Sequence, residues 1–393
     1  MSSEPQDGPA EKDGPAAKPG RTAAPVRKTK PTRTSFAIGS VKVRPGHTRE
    51  IGLPITKLVT GSEISLPVRV VHGRHDGPVV WINAAIHGDE VVGVEVIRRV
   101  LATLSPKTFR GTLLAVPIVN VHGFMAGDRY LPDRRDLNRS FPGSPRGSLA
   151  GRIANLMMRE VVDKCEVGID LHTGSDRRTN LPQIRADLDD PRTRALAEAF
   201  GAPVMLHAKL RDGSLRAAAR EGGATVLLFE SGEAMRFDQW AIEAGVAGVL
   251  RVLAALDMID ATVTTSAAAT AAAAVSSGAG DLALPAPPPG LVSRRSSWVR
   301  ARRTGIVHLD ATLGQRVEVG DRLGGLSNSF GRTLRLVKAE RAGVIIGRTT
   351  APLVNRGDAL VHIAEIEGAE PPGIPDSPAA SDGFNALDQI QVL

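Results

Sequence analysis

Two histidines and a glutamate stand at the ends of two apolar stretches of the sequence. His87 and Glu90 follow the apolar residues 79–85, and His172 lies at the end of the apolar run 166–172. If both stretches are buried strands of one sheet, their carboxyl ends deliver the three side chains to the edge where α/β sheets place their chemistry. Two histidines and a glutamate form one of the ligand sets of catalytic zinc sites. A lone histidine at a strand end is more often structural, so it is the combination that predicts one zinc ion per chain.

A polar loop after the next apolar stretch has the residue types of an anion-binding site. Asn138 and Arg139 can hold a substrate carboxylate, because a guanidinium donates two parallel hydrogen bonds to such a group. Arg129, Arg134 and Arg135 precede this pair, and each is a candidate for polarising a scissile carbonyl. The alternative interpretation is a surface loop in which Asp, Asn, Pro and Gly serve only as turn residues.

A third acidic position closes the apolar run of residues 224–231. A carboxylate at the end of a buried strand costs free energy unless it is paired or functional. Glu230 is therefore a candidate general base that takes a proton from water during attack on a carbonyl. Glu233 is the alternative base, but it lies beyond the turn and we expect it to be solvated.

The motifs, in their order along the chain, resemble the succinylglutamate desuccinylase/aspartoacylase family of the zinc carboxypeptidase group. They are His-Gly-Asp-Glu at 87–90, Asp-Leu-Asn-Arg at 136–139, Asp-Leu-His-Thr at 170–173 and Phe-Glu at 229–230. The resemblance covers residues from about 35 to 366. It implies a zinc-dependent deacylase that uses metal-activated water to remove a short acyl group from an N-acyl amino acid, a small-molecule substrate. N-acetyl-diaminobutyrate, a substrate of some relatives, is one candidate, and a metallocarboxypeptidase or an esterase with the same zinc site is the alternative.

The resemblance also implies roles for seven residues. His87, Glu90 and His172 match the zinc ligands, and Glu230 matches the general base. Arg129 matches the carbonyl-polarising arginine, and Asn138 and Arg139 match the pair that binds the substrate carboxylate. The match of Arg129 is the loosest, because five residues separate Tyr130 from the Asp-Leu-Asn-Arg motif. The family's C-terminal domain narrows the entrance to the site, which favours small N-acyl amino acids over peptides.

Alternating strands and helices surround these motifs. Apolar runs predict strands at 79–85, 112–120, 166–173, 203–208 and 224–231, and helical spacing predicts helices at 91–104, 148–162, 190–200 and 238–256. Asp190 is a candidate N-cap, with Pro191 at the first helical position. This alternation predicts an α/β fold in which a mainly parallel, mixed sheet carries helices on both faces, as in zinc carboxypeptidases.

Composition divides the chain into five segments. We predict a disordered basic tail at 1–35, the catalytic domain at 36–258, an Ala/Pro-rich linker at 259–290, a small β domain at 291–367 and a disordered acidic tail at 368–393. The small domain repeats a Gly-led strand followed by Gly-Asp, which indicates an all-β barrel or sandwich similar to biotinyl/lipoyl domains. A non-enzymatic carrier that uses Lys338 is the competing class of function, although the methionines that flank a biotinyl lysine are missing.

Composition also argues against several other classes of protein. The net charge is +7, but neither a basic helical stripe nor interleaved aromatic residues accompany it, so we expect no nucleic-acid partner. The sequence contains neither an apolar stretch of about 18 residues nor the apolar part of a secretory signal, so we expect a cytoplasmic protein without membrane contact. The single Cys165 excludes an intrachain disulfide and is expected in the core. A homo-oligomer is compatible with the sequence.

Overall fold

A computed structural model describes residues 33–175, 177–260 and 290–367. Most of the predicted tails and linker, namely residues 1–32, 261–289 and 368–393, lie outside the described residues. Arg33, which the sequence placed in the basic tail, donates hydrogen bonds to the carbonyl oxygens of Gly73 and Gly111, each at 2.7 Å. This arginine therefore contacts the folded part of the chain.

The described residues form 19 strands and six α-helices. The strands are β1 (Phe36–Ile38), β2 (Val41–Val43), β3 (His47–Lys57), β4 (Glu63–His72), β5 (His75–Ala84), β6 (Arg110–Val116), β7 (Val167–Gly174), β8 (Arg178–Ala186), β9 (Val204–His207), β10 (Thr225–Glu233), β11 (Leu291–Ser293), β12 (Arg295–Arg300), β13 (Gly305–Leu309), β14 (Arg316–Val317), β15 (Arg322–Ser327), β16 (Thr333–Lys338), β17 (Gly343–Thr349), β18 (Leu353–Val354) and β19 (Ala359–Glu365). The helices are α1 (Val92–Thr103), α2 (Val121–Ala126), α3 (Leu149–Glu160), α4 (Pro191–Phe200), α5 (Leu215–Glu221) and α6 (Gln239–Ala255). Short 3₁₀ turns occupy Leu137–Arg139 and Val162–Lys164.

A large mixed sheet organises the fold. Its strands follow the order β12-β19-β17-β8-β10-β7-β5-β6-β4-β3, and β9, β11 and β14 pair beside this path. The four central strands β10, β7, β5 and β6 are parallel, whereas the strands on both sides of them pair antiparallel. The carboxyl ends of the central strands therefore meet at one edge, as the sequence predicts.

Helices cover both faces of this sheet. On one face α1, α4 and α6 bury apolar side chains against β5, β7 and β10. On the other face α3 and α5 pack against Trp81, Leu114 and Val226. Asp190 begins α4 as predicted, since its carboxylate accepts a hydrogen bond from the Thr193 amide at 2.9 Å. The predicted α/β fold with helices on both faces is confirmed.

One strand of the sheet, β8, escaped the sequence analysis. Pro182 stands at its centre, and a proline argues against a central strand because it cannot donate to the ladder. The strand is nevertheless buried and pairs antiparallel with β10. Its other neighbour is β17, with Asn180 opposite Gly347. This strand therefore joins the catalytic sheet to the C-terminal strands.

The C-terminal strands form the all-β part that the sequence predicts. Strands β12, β17 and β19 extend the large sheet, and β16, β15, β13 and β18 form a four-stranded sheet within the described residues. They enclose a core that includes Leu323, Ile345 and Val361. A second cluster shares Leu181 and Val204 with Val344, Ile346 and Ala364, so apolar packing accompanies the β8–β17 pairing. Independent folding of this part stays a prediction.

Two further expectations concern apolar segments and the cysteine. Within the described ranges, no helix has both the length and the apolar character needed to cross a bilayer. The Cys165 thiol packs against the core below α3 and donates a hydrogen bond to the Val161 carbonyl at 3.2 Å. Burial raises the pKa of this thiol, which disfavours the thiolate and supports the expected core position.

Candidate active site

The three predicted metal ligands lie together at the edge of the sheet. His87 and Glu90 sit in the loop between β5 and α1, and His172 lies near the end of β7. The Glu90 carboxylate stands between the imidazoles, with Oε1 2.8 Å from His87 Nδ1 and Oε2 2.7 Å from His172 Nδ1. One ligand atom from each residue lies within 4.8 Å of the others, and all three side chains are buried. Separate stretches of sequence therefore converge on one compact donor group.

Gly88 allows this loop to lie against helix α2. A Cβ atom at residue 88 would stand 2.0 Å from the Gly123 carbonyl carbon and 2.2 Å from the Phe124 amide nitrogen. Those atoms belong to the backbone, so they cannot move aside as a side chain would. Glycine is needed here for close packing, and that packing holds His87 and Glu90 near each other.

A buried chain of hydrogen bonds orients His172. Its Nε2 lies 3.0 Å from Asp170 Oδ2, while Asp170 Oδ1 accepts from Asn83 Nδ2 at 2.6 Å. Asn83 in turn accepts from Trp81 Nε1 at 2.8 Å. With Nε2 facing the Asp170 carboxylate and Nδ1 facing Glu90, the orientation of the His172 ring is fixed from both sides. Sequence analysis missed Asp170 and Asn83; the signal was the two-residue spacing of Asp170 and His172, which puts both on one face of a strand.

The second histidine has an equivalent partner in the polar loop. His87 Nε2 lies 3.2 Å from Asp136 Oδ1, which also accepts from the Asn138 amide at 2.8 Å. Arg129 connects the two parts, because Nη1 donates to Glu90 Oε1 at 3.2 Å and Nη2 donates to Asp136 Oδ2 at 3.3 Å. The carboxylate of Asp136 thus orients one imidazole and connects the loop to the three predicted metal ligands.

The three candidate arginines differ in position. Arg129 is mostly buried beside Glu90, with 18% of its side chain exposed. Arg134 and Arg135 are exposed, and Arg135 pairs with Asp133 at 3.7 Å. Arg129 contacts the predicted ligand Glu90, so the geometry favours it for interaction with a bound substrate.

Opposite charges reinforce one another within this group. Burial alone would raise the pKa of Glu90, but His87 and His172 hold it well below its ordinary value. Burial alone would lower the pKa of His172, but Asp170 and Glu90 raise it well above its ordinary value. Burial would also raise the pKa of Asp136, whereas its bond to His87 and the nearby charges lower it. The same carboxylates that favour protonated imidazoles favour a cation, which would take the place of those protons.

The carboxylate-binding candidates occupy the 3₁₀ turn beside the group. Asn138 is 7% exposed, and its Oδ1 accepts from the Leu215 amide at 2.9 Å, which leaves the Nδ2 group as its donor. Arg139 is exposed and donates from Nη1 to the Asn138 carbonyl. A Cβ atom at Gly213 would lie 2.6 Å from the Arg139 carbonyl oxygen, so the segment before α5 packs closely on this turn. The close packing of this segment holds the backbone of Asn138 and Arg139 in place, while the Arg139 side chain is exposed to solvent.

Glu230 lies on the strand next to His172. The two residues are register partners in the parallel pair of β10 and β7, so their side chains share one face of the sheet. Glu230 Oε2 accepts from Asn180 Nδ2 at 2.6 Å, and Oε1 lies 3.5 Å from Arg185 Nη1. With 16% of its side chain exposed, the carboxylate is reachable.

The expectation that the alternative base, Glu233, is solvated is wrong: it ends strand β10, and 14% of its side chain is exposed. Glu233 Oε1 accepts from Thr350 Oγ1 at 2.7 Å, and Oε2 lies 3.6 Å from Arg236 Nε. Glu230 therefore has the better position for proton transfer near His172. Its partners Asn180 and Arg185 were missed by sequence analysis because both belong to β8.

Comparison with known proteins shows a family of deacylases that is similar to this chain in sequence and in fold. The sequence model described as "Succinylglutamate desuccinylase/Aspartoacylase catalytic domain" matches residues 76–256, and structural neighbours carry the same description. Residues 76–256 of this chain therefore match the catalytic domain of the succinylglutamate desuccinylase/aspartoacylase family.

Individual relatives agree with this assignment. The chain is 28% identical over 315 residues to the N-alpha-acetyl-L-2,4-diaminobutyric acid deacetylase of Halomonas elongata, covering 77% of this chain and 86% of the relative. It is 25% identical to a succinylglutamate desuccinylase/aspartoacylase from Rhodobacter sphaeroides, with a TM-score of 0.68 over 82% of this chain and 95% of that one. The ectoine utilization protein EutE of Ruegeria pomeroyi, 23% identical with a TM-score of 0.69, covers 86% of this chain and 100% of its own and shows the same fold.

Proposed function

We propose that the protein is a zinc-dependent hydrolase that cleaves the amide C–N bond of an N-acyl amino acid and releases a short-chain acid. The observation that carries this proposal is the buried group of His87, Glu90 and His172, with Glu230 as the cross-strand neighbour of His172. The match to the family's catalytic domain supports hydrolysis as the reaction class. The deacetylase of Halomonas elongata supports an N-acyl amino acid as the substrate class.

The donor set fits a catalytic zinc ion. Two imidazole nitrogens and a carboxylate oxygen from His87, His172 and Glu90 are the ligand types of that site, and three protein ligands leave a position for substrate or water. Asp136 and Asp170 support the outer nitrogens of the two imidazoles, as carboxylates commonly do around zinc. When bound there, zinc would polarise a carbonyl oxygen and make a water molecule more acidic.

Glu230 is proposed to move the proton. An ionised carboxylate can accept a proton from the attacking water and then return it to the nitrogen of the leaving amine. This is balanced: the C–N bond breaks, a C–O bond forms, and the amine leaves with the proton that Glu230 carried. The exposed part of its carboxylate and its place beside His172 support the assignment.

Three further side chains are proposed to bind the substrate. Arg129, which lies beside Glu90, would donate hydrogen bonds to the oxygen that gains negative charge during attack. The Asn138 Nδ2 group and the exposed Arg139 guanidinium would bind the free carboxylate of the amino acid. A substrate held at both ends presents its amide carbonyl to the region between these groups.

A hydrolysis panel tests the proposal. We would incubate zinc-loaded protein with Nα-acetyl-2,4-diaminobutyrate, other N-acetyl and N-succinyl amino acids, C-terminally free peptides and matched acyl esters, and measure amine or acid release. We expect turnover of an N-acyl amino acid. Turnover of peptides alone would instead identify a metallocarboxypeptidase, and turnover of esters alone would identify an esterase.

Matched variants connect activity to the site. Glu230→Gln should abolish most turnover while the zinc content stays at that of the wild type. Glu233→Gln changes a nearby carboxylate that contacts Thr350 instead, and it should keep most of the activity. Equal activity of wild type and Glu230→Gln would rule out the proposed proton transfer.

A further inference from the structure

Asn180 makes a short hydrogen bond to the proposed base. Its Nδ2 donates to Glu230 Oε2 at 2.6 Å, and the side chain is buried, with the residue 4% exposed. A carboxylate accepts but cannot donate, so this contact requires the amide group of Asn180 to face Glu230 with its nitrogen. The Oδ1 atom must then point the other way.

The opposite side of Asn180 is closed by the C-terminal strands. Gly347 of β17 stands opposite Asn180 in the antiparallel pair with β8. A Cβ atom at residue 347 would lie 2.8 Å from Asn180 Oδ1, closer than real Cβ atoms approach an oxygen. The nearest obstacle is thus the end of the Asn180 side chain, and a larger residue at 347 would displace that amide before it displaced any backbone.

A stacked pair of rings lies beside Gly347. The next atoms that a Cβ at 347 would meet are Trp298 Cη2 and His362 Cβ, each at 3.4 Å. Trp298 and His362 are cross-strand partners on β12 and β19, and their rings stack with centroids 4.6 Å apart at an interplanar angle of 13°. The Arg178 guanidinium lies over the Trp298 ring, 5.4 Å from its centroid. These side chains therefore line the same narrow space beside Gly347 as the Asn180 amide, which leaves a Cβ at residue 347 little room to turn aside.

We propose that the C-terminal β strands position the general base: Gly347 leaves room for the Asn180 amide, and Asn180 holds Glu230 in the orientation for proton transfer. Asn180 and Gly347 are positioning residues, since neither is proposed to touch the substrate. The inference rests on the proposed function, because it takes Glu230 as the base. It also gives the pairing of β8 with β17 a role in turnover.

Four variants test this inference in the full chain loaded with zinc. Asn180→Leu keeps a side chain of similar shape and removes the hydrogen-bond donor, and Asn180→Ala removes most of the side chain. Gly347→Ala adds a Cβ atom that would displace the Asn180 amide on the side opposite Glu230. The matched control is Gly325→Ala on β15, where a Cβ would meet the Arg335 carbonyl oxygen at an ordinary 3.8 Å. Each protein is checked for zinc content and cooperative unfolding before kcat and KM are measured on the substrate found in the hydrolysis panel.

We expect a loss in kcat with little change in binding. A base displaced by a fraction of an ångström to 1 Å costs up to about 100-fold in rate, so both Asn180 variants and Gly347→Ala should lose about 10- to 100-fold in kcat. KM and zinc content should stay within about twofold, and Gly325→Ala should match the wild type. In the Asn180→Ala background, Gly347→Ala should have no further effect on kcat, because its action passes through the missing amide.

Distinct outcomes separate this inference from the proposed function. Wild-type kcat in folded Asn180→Leu would overturn the positioning role, and so would independent, multiplicative losses of kcat in the double variant. If Glu230→Gln is inactive in the same experiments, the assignment of Glu230 as the base stands. Full activity of Glu230→Gln would overturn the base assignment itself. If Gly347→Ala does not fold, the two Asn180 variants decide the question, since neither enlarges the side chain.

Discussion

Asp170 and His172, two residues apart on β7, meet side chain to side chain, with 3.0 Å between Asp170 Oδ2 and His172 Nε2. The alternation of a strand puts both residues on one face, so local geometry supplies the contact. Asn83 holds the other carboxylate oxygen from the neighbouring strand. Asp170 thus orients the His172 ring, and Asn83 orients the Asp170 carboxylate. The Nδ1 atom of His172 remains for the proposed metal.

Replacing Asp170 should weaken metal binding. Asn83 and His172 contact different oxygens of Asp170, so in Asp170→Asn one of these two donors faces the NH₂ group, and one hydrogen bond is replaced by two facing donors. Loss of such an outer partner lowers metal affinity by about 10- to 100-fold, and we expect that change here. Competition for zinc with a chromophoric chelator measures it. Asp163→Asn, at an exposed aspartate, is the matched control, and equal affinities of the two variants would refute the orienting role of Asp170.

Gly88→Ala should damage both stability and the metal site. The added Cβ would approach the Gly123 carbonyl carbon to 2.0 Å, so the loop that carries His87 and Glu90 must move. Overpacking of this kind typically costs about 1–3 kcal/mol in the free energy of unfolding. Urea unfolding with and without zinc measures both effects, with Gly325→Ala as control. Wild-type stability together with wild-type zinc affinity would show that helix α2 yields to the added atom.

Glu160 should stabilise the fold in a pH-dependent way. Its carboxylate accepts from the Gly39 amide at 2.9 Å and from Lys164 Nζ at 3.0 Å. Burial alone would raise its pKa, but these bonds lower the pKa from 4.5 to about 2. Because the folded pKa lies below the unfolded one, the stabilisation is complete above the unfolded value and is lost as the pH falls toward the folded value.

The comparison of wild type with Glu160→Gln follows from this sign. Near neutral pH the variant should unfold with a free energy lower by about 1 kcal/mol, the usual contribution of such hydrogen bonds. Urea titrations repeated down to acidic pH should show the difference shrinking below the unfolded pKa. A difference that is constant or grows toward low pH would contradict the proposed pairing of the ionised carboxylate.

The regular parts of the fold follow from apolar patterning, and their limits follow from local chemistry. Strands were predicted at 79–85 and 166–173, and all but Ala85 and Glu166 of these residues lie in β5 and β7. The strand predicted at 112–120 ends instead at Val116, because Pro117 cannot continue the hydrogen-bond ladder. In the site, His87, Glu90 and His172 were predictable because each follows or ends an apolar run and they form a known donor set.

The contacts that support the site were not predictable in the same way. Asn180 reaches Glu230 only through the register of two antiparallel strands, and Gly347 reaches Asn180 from 167 residues further along the chain. No local period in the sequence encodes which strands become neighbours. The prediction of a separate small β domain likewise said nothing of the hydrogen bonds that β17 makes to β8.

Zinc titration of metal-free protein tests the central claim most directly. Chelator-stripped wild type and Glu90→Gln, whose variant side chain replaces the carboxylate between the two imidazoles, would be titrated with zinc while amine release from an N-acyl amino acid is recorded. We predict that wild-type activity starts near zero, rises in proportion to zinc and levels off at about one equivalent per chain, whereas Glu90→Gln stays inactive. Full activity of the stripped protein, or wild-type behaviour of Glu90→Gln, would contradict a zinc-dependent deacylase built on these residues.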